Sequence, residues 1–149
     1  SHAPQRGRLL RKIARDHGLT LIIGEDVDLA LEIDADGVHL AQKSLPRAAD
    51  LKQRYPQMCL SAACHDIATL KNLADEESLE AVFVSPVFAS QSPSAVHVEP
   101  LGVKGVIQFT EITTLPVYGL GGIGCDNIDT LRHSGLSGIG AVDAFRLDD

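Results

Sequence analysis

Continuous apolar runs recur along this chain about every 20 to 25 residues, with helical segments between them, and this spacing narrows the possible folds most. The runs are Leu19–Ile23, Gly37–Leu40, Met58–Ala63, Ala81–Val84, Pro116–Leu120 and Gly138–Val142. Strands that are apolar throughout are covered on both faces, which implies a parallel sheet with helical crossovers. From Gly7 to His17, Leu9, Leu10, Ile13 and Ala14 recur at helical spacing, and Gly18 is placed to stop that helix. Further helices are expected over Val27–Glu32, Pro46–Tyr55, Asp66–Ala74, Leu101–Thr110 and Cys125–Ser134, with Asp66 as an N-cap. A polar stretch, Ala89–Pro100, interrupts the pattern. So short a repeat suits a TIM (β/α)8 barrel better than an open doubly wound sheet, but a closed barrel needs eight strands and about 200 to 250 residues. The expectation is an α/β chain forming one domain over residues 1–149, holding about six β/α units. Two units would then precede it, or come from another chain.

Composition excludes several classes. There are 20 acidic and 13 basic residues, a net charge of −7, so nucleic acid is not the expected partner. Arg6, Arg8, Arg11, Lys12 and Arg15 cluster and are read as a solvated helix face. No apolar run reaches the ~20 residues that span a bilayer, and the N-terminus does not read as a signal peptide. Cys59, Cys64 and Cys125 are an odd number without metal-ligand spacing. Cys59 and Cys64 are expected to be buried free thiols. Together these features point to the cytoplasm.

The motifs are more specific. Ile23-Gly24-Glu25-Asp26-Val27-Asp28-Leu29-Ala30-Leu31 is followed by Ala35-Asp36-Gly37-Val38-His39-Leu40-Ala41-Gln42. Then come Ser61 to His65, Ser85-Pro86-Val87-Phe88, Leu101-Gly102, Pro116 to Ile123 with Asn127, and Gly135 to Ala144. In this order they resemble the thiamine phosphate synthase and TenI superfamily over nearly the whole chain. The resemblance implies a barrel whose strands 3 to 8 are present here.

It also implies a chemistry. The family joins an aminopyrimidine diphosphate to thiazole phosphate and releases pyrophosphate, using Mg2+ and cations on the diphosphate. One family metal ligand aligns with Glu25, with Asp26 adjacent, and the other with Ser44. A serine is uncharged and a poor Mg2+ ligand. The family's pyrophosphate lysine aligns with Pro93, which has neither charge nor backbone N–H. Ser90 and Ser92 keep hydroxyls in that loop. The phosphate site maps to Gly121 and Gly122, with Gly138 and Gly140 as its second half. Glycines there serve either close approach to an anion or only tight turns. His65, at the end of its strand, is read as a general acid or base, or as a structural partner of Asp66. His39 is read as a packed, hydrogen-bonded histidine, and His97 as solvated.

The expected function is therefore a thiamine phosphate synthase-like, phosphate-ligand-binding protein with impaired or altered transferase activity. A metal-free thiazole tautomerase-like enzyme and a non-catalytic thiamine phosphate-binding protein are the alternatives. The expected ligand is thiazole phosphate or thiamine phosphate. An exposed parallel edge at the first strand makes a homodimer or a preceding segment the expected cover.

Overall fold

A computed structural model of the chain describes residues 3–72, 76–90 and 97–142. It divides into two compact units, residues 1–62 with 77–80, and residues 63–76 with 81–149.

The first unit opens with helix α1 (Ala3–Asp16). Gly18, at φ +64°, ends it in the left-handed region. Leu19 N–H donates to Ala14 O at 2.8 Å and Gly18 N–H to Arg15 O at 3.3 Å, closing the last turn. Strand β1 (Ile22–Gly24), helix α2 (Val27–Glu32) and strand β2 (Gly37–Leu40) follow. A 3-10 segment, Gln42–Arg47, leads into helix α3 (Ala48–Arg54) and strand β3 (Cys59–Cys64). β1 pairs in parallel with β2, and β2 with β3, Val38 lying opposite Leu60 and Leu40 opposite Ala62. These four are fully buried. A Cβ on Gly37 would lie 2.0 Å from Cys59 O, so only glycine fits that register.

Two expectations need correction here. The strand expected from Leu19 begins only at Ile22, and Leu19 is 60% exposed. The helix expected from Pro46 is 3-10 through Arg47 and α-helical only from Ala48.

The basic face of α1 does more than meet solvent. Arg8 bonds Glu32 at 2.9 Å, and Arg15 pairs with Asp34. Arg11, with only 14% of its side chain exposed, binds both oxygens of Asp36 at 2.7 and 3.1 Å. Asp36 also accepts from Leu21 N–H at 2.7 Å, so one carboxylate joins α1, the approach to β1 and the start of β2. The exposed pairs add little. The shielded, bidentate one is the strong contact.

In the second unit, Asp66 caps helix α4 (Ile67–Lys71) by accepting from Thr69 N–H at 2.7 Å, the cap expected from sequence. α4 ends before Ala74, and residues 73–75 lie outside those described. Strand β4 (Ala81–Val84), helix α5 (Gly102–Ile112), strand β5 (Val117–Leu120) and strand β6 (Gly138–Gly140) complete the unit. β4 pairs in parallel with β5, and β5 with β6. Val82, Val84, Val117 and Gly119 are buried at alternate positions, and Val87, Val106, Ile123 and Leu131 form a buried cluster. The intervening Phe83 and Tyr118 stack with ring centroids 5.1 Å apart.

The helix expected over Cys125–Ser134 is reduced to a 3-10 turn, Ile128–Leu131. Asn127 is the cause. Its Oδ1 accepts from Gly124 N–H at 3.0 Å, and its Nδ2 donates to Gly122 O at 2.8 Å. Those bonds hold the backbone in a loop where helical turns would otherwise begin.

Candidate functional site

In the second unit the site is made by two interlocked loops at the ends of β4 and β5. After β4, Val87 N–H donates to Leu120 O at 2.9 Å and Phe88 N–H to Gly121 O at 3.0 Å. Leu101 N–H and Gly102 N–H then bond Pro86 O and Val87 O, both at 2.9 Å, seating the start of α5 on the same loop. Gly121 and Gly122 have φ +94° and +65°. A Cβ on Gly121 would come within 3.0 Å of Pro86. One on Gly122 would stand 2.4 Å from Ala89 O and 2.7 Å from the Phe88 carbonyl. Both glycines are therefore demanded by the neighbouring loop as well as by backbone conformation.

The predicted phosphate residues are only partly gathered. Gly140 lies opposite Leu120, next to Gly121, at the same end of the sheet. Gly138 is two residues further back, opposite Tyr118, where a Cβ would lie 2.7 Å from the Tyr118 ring. Its small size makes room for that ring. Ser90 is partly buried where the β4 loop leaves the glycine loop. Ser92 and Pro93 lie outside the described residues. Asn127 is the residue that sequence reasoning left without a role, and its amide braces the glycine loop at Gly122 and Gly124. Its place shortly after the Gly121-Gly122-Ile123 motif was the available signal.

His65 is exposed, and its Nδ1 stands 3.1 Å from Ser85 O and 3.4 Å from Ser85 Oγ. A carbonyl accepts only, so Nδ1 is the donor in the bond to Ser85 O. The Asp66 carboxylate serves Thr69, bonding its N–H and its hydroxyl at 2.7 and 2.8 Å. The exposed His97 follows the residues outside the described set.

In the first unit the expected metal residues sit at the end of β1. Glu25 occupies the left-handed region at φ +62°. Its N–H donates to His39 O at 2.9 Å. Its Oε1 accepts from Ala41 N–H, and its Oε2 accepts from Ser44 Oγ at 2.8 Å. Arg47 Nη1 stands 3.8 Å from Oε2. The Ala41 N–H and the Ser44 hydroxyl, then the charges of Arg47 and Lys43, hold the Glu25 carboxyl below the usual range. Asp26 faces its own helix and caps α2, accepting from Leu29 N–H at 2.9 Å. His39 is hydrogen-bonded as expected, its Nδ1 lying 2.9 Å from Ser61 Oγ.

These residues do not fit Mg2+. The ion takes about six oxygen ligands and is usually held through one or two carboxylates open to it. Here one carboxylate is engaged by donors on both oxygens and faces a guanidinium. Among the described residues, no three His, Cys, Asp or Glu side chains group in a way that could hold a metal.

The family profile for thiamine monophosphate synthase matches residues 3–145. The chain belongs to that family. A putative thiamine-phosphate synthase 2 of Aquifex aeolicus is 31% identical over 137 residues, covering 91% of this chain and 71% of that protein. A thiamine-phosphate synthase of Desulfitobacterium hafniense is 31% identical over 141 residues, covering 93% of this chain and 66% of that protein. A solved thiamine phosphate pyrophosphorylase from Pyrococcus furiosus superposes with a TM-score of 0.80 at 26% identity, covering 96% of this chain and 67% of its own. The chain thus spans about two thirds of the length of these relatives. The family generally uses Mg2+ and acts in thiamine synthesis on phosphorylated small molecules. No described helix is long and apolar enough to cross a membrane.

Proposed function

We propose that this chain binds thiazole phosphate or thiamine phosphate, with the phosphate against Gly121, Gly122 and Gly140 and with Ser90 beside that cup; of the other residues expected there, Gly138 is set back against Tyr118 and Ser92 lies outside the described residues. The observation that carries the reading is the interlock of the two loops. Phe88 N–H bonds Gly121 O at 3.0 Å, and Gly122 meets the Phe88–Ala89 backbone at a distance only glycine tolerates. Such a junction sets loop amides rigidly at a strand end, where barrels of this class hold phosphate. A barrel completed by two further β/α units is part of this proposal, as are a homodimer and a cytoplasmic location. Three free thiols agree with a reducing compartment.

The proposed activity is an impaired or altered form of the family transfer. Ser44 and Pro93 replace a metal charge and a diphosphate charge, and Glu25 is bonded within the chain. That last observation favours a second reading, a metal-free relative of the tautomerase kind or a non-catalytic binder. In the tautomerase reading, His65 would be the acid–base group, oriented by Ser85 O.

Thermal denaturation with thiamine phosphate, thiazole phosphate or inorganic phosphate tests binding. Pyrophosphate release from both substrates with Mg2+ tests transfer. A ligand-dependent rise in Tm without pyrophosphate release is the expected result. Release at ordinary family rates would overturn the impaired reading, and no rise with any phosphate ligand would overturn the cup.

A further inference from the structure

We propose that Glu25 and Ser44 form a metal-independent latch tying the end of β1 to the turn after β2, with Arg47 supplying the counter-charge. Three observations carry this beyond the loss of a ligand. First, Glu25 is a non-glycine residue in the left-handed region, a conformation that persists only where surrounding bonds hold it. Those bonds are its own: N–H to His39 O, Oε1 from Ala41 N–H, and Oε2 from Ser44 Oγ. All three reach the β2 exit, so the strained residue is fastened from backbone and side chain together.

Second, the residue type at 44 suits this bond and would oppose a metal pair. Ser44 is buried at 8% exposure, and its hydroxyl donates to Glu25 at 2.8 Å. An ionised aspartate only accepts hydrogen bonds. At that distance it would set two carboxylates against each other with no cation between them. Serine is thus the donor that the glutamate needs.

Third, the charges facing Glu25 are positive. Arg47 stands 3.8 Å away, and Lys43 adds a further attraction. A dication at Glu25 would meet both as repulsion. Asp26, the adjacent anion, is turned to Leu29 N–H at 2.9 Å.

This inference involves no substrate, so it can fail or hold apart from the function proposed above. The test compares the whole chain with Glu25→Gln, Ser44→Ala and Ser44→Asp in metal-free buffer, by thermal denaturation. It also titrates the wild-type chain with MgCl2 against NaCl of equal ionic strength, and with Mn2+ followed by electron paramagnetic resonance. The wild-type Tm is expected to be the same in both salts, with no Mn2+ signal that depends on Glu25. Each substitution is expected to lower Tm by about 3 °C or more without any metal. A Mg2+-specific rise in wild-type Tm that Glu25→Gln abolishes would overturn the proposal. So would a Ser44→Asp chain as stable as wild type in metal-free buffer. If a variant does not fold, the wild-type titrations still decide the metal.

Discussion

Replacing Gly122 with alanine isolates the interlock at the candidate phosphate site. Gly122 has φ +65°, and a β-carbon there would sit 2.4 Å from Ala89 O and 2.7 Å from the Phe88 carbonyl. The left-handed conformation costs an alanine about 1–2 kcal/mol. Pushing the neighbouring backbone aside adds about 1–3 kcal/mol, as other overpacked sites do. The adjoining Phe88 N–H to Gly121 O bond weakens by about 1 kcal/mol. The expected loss is about 4 kcal/mol, or roughly 8–16 °C in Tm for a chain of this size. Gly18→Ala separates these effects, because Gly18 shares the left-handed conformation at φ +64° with nothing within 4 Å of its missing Cβ. It should lose only about 1–2 kcal/mol. Gly124→Ala meets just the Asp126 side chain at 3.0 Å and should change stability by less than about 1 kcal/mol. Urea unfolding followed by circular dichroism measures all three. If Gly122→Ala costs no more than Gly18→Ala, the contact between the loops does not constrain this glycine.

Asp36 should make the fold acid-sensitive. Arg11, then Leu21 N–H, holds its carboxyl below the ordinary value of 3.8, so the unfolded chain takes up its proton first. Its stabilisation is present above about pH 4 and lost as pH falls through the folded-state value. Asp36→Asn should therefore be less stable than wild type at pH 7, by about 2 kcal/mol for the bidentate bond, and the gap should close towards pH 3. A gap independent of pH would refute this. Glu80→Ala should lose about 1–2 kcal/mol, since Glu80 accepts from Leu60 N–H at 2.5 Å and pairs with Lys52. Equal urea midpoints for the two proteins would count against it. Native protein should react rapidly with a thiol reagent at one site, Cys125, which is exposed. Burial pushes the Cys59 and Cys64 thiols up, the Glu80 charge adding to the effect at Cys59; Cys64 should react only on unfolding, and Cys59, half-buried rather than buried as expected, more slowly than Cys125. A second fast thiol in the native protein would contradict those environments.

The elements that sequence predicts with their bounds intact are those whose local signals act alone. Val27–Glu32, Gly37–Leu40 and Ala81–Val84 stand as read. Asp66 caps as expected, since a cap needs only residues three apart. The family relation was also legible, because short motifs survive in order along one chain. One failure was local, and the others were decided at a distance. Asn127 holds a loop where helical spacing suggested a helix, through bonds from its amide to the glycine motif before it. Arg6, Arg8, Lys12 and Arg15 of α1 are exposed as read, but Arg11 is shielded because folding brings Asp36, 25 residues away, beside it. Glu25 and Ser44 read separately as one altered and one lost metal ligand. Only the pairing of β1 with β2 sets them 2.8 Å apart, where one donates and the other accepts. Sequence by itself determined the α/β pattern and the family, because both reside in local spacing and motif order. Tertiary structure decided what the altered residues do, because a hydrogen bond depends on distance and direction that spacing along a chain does not contain.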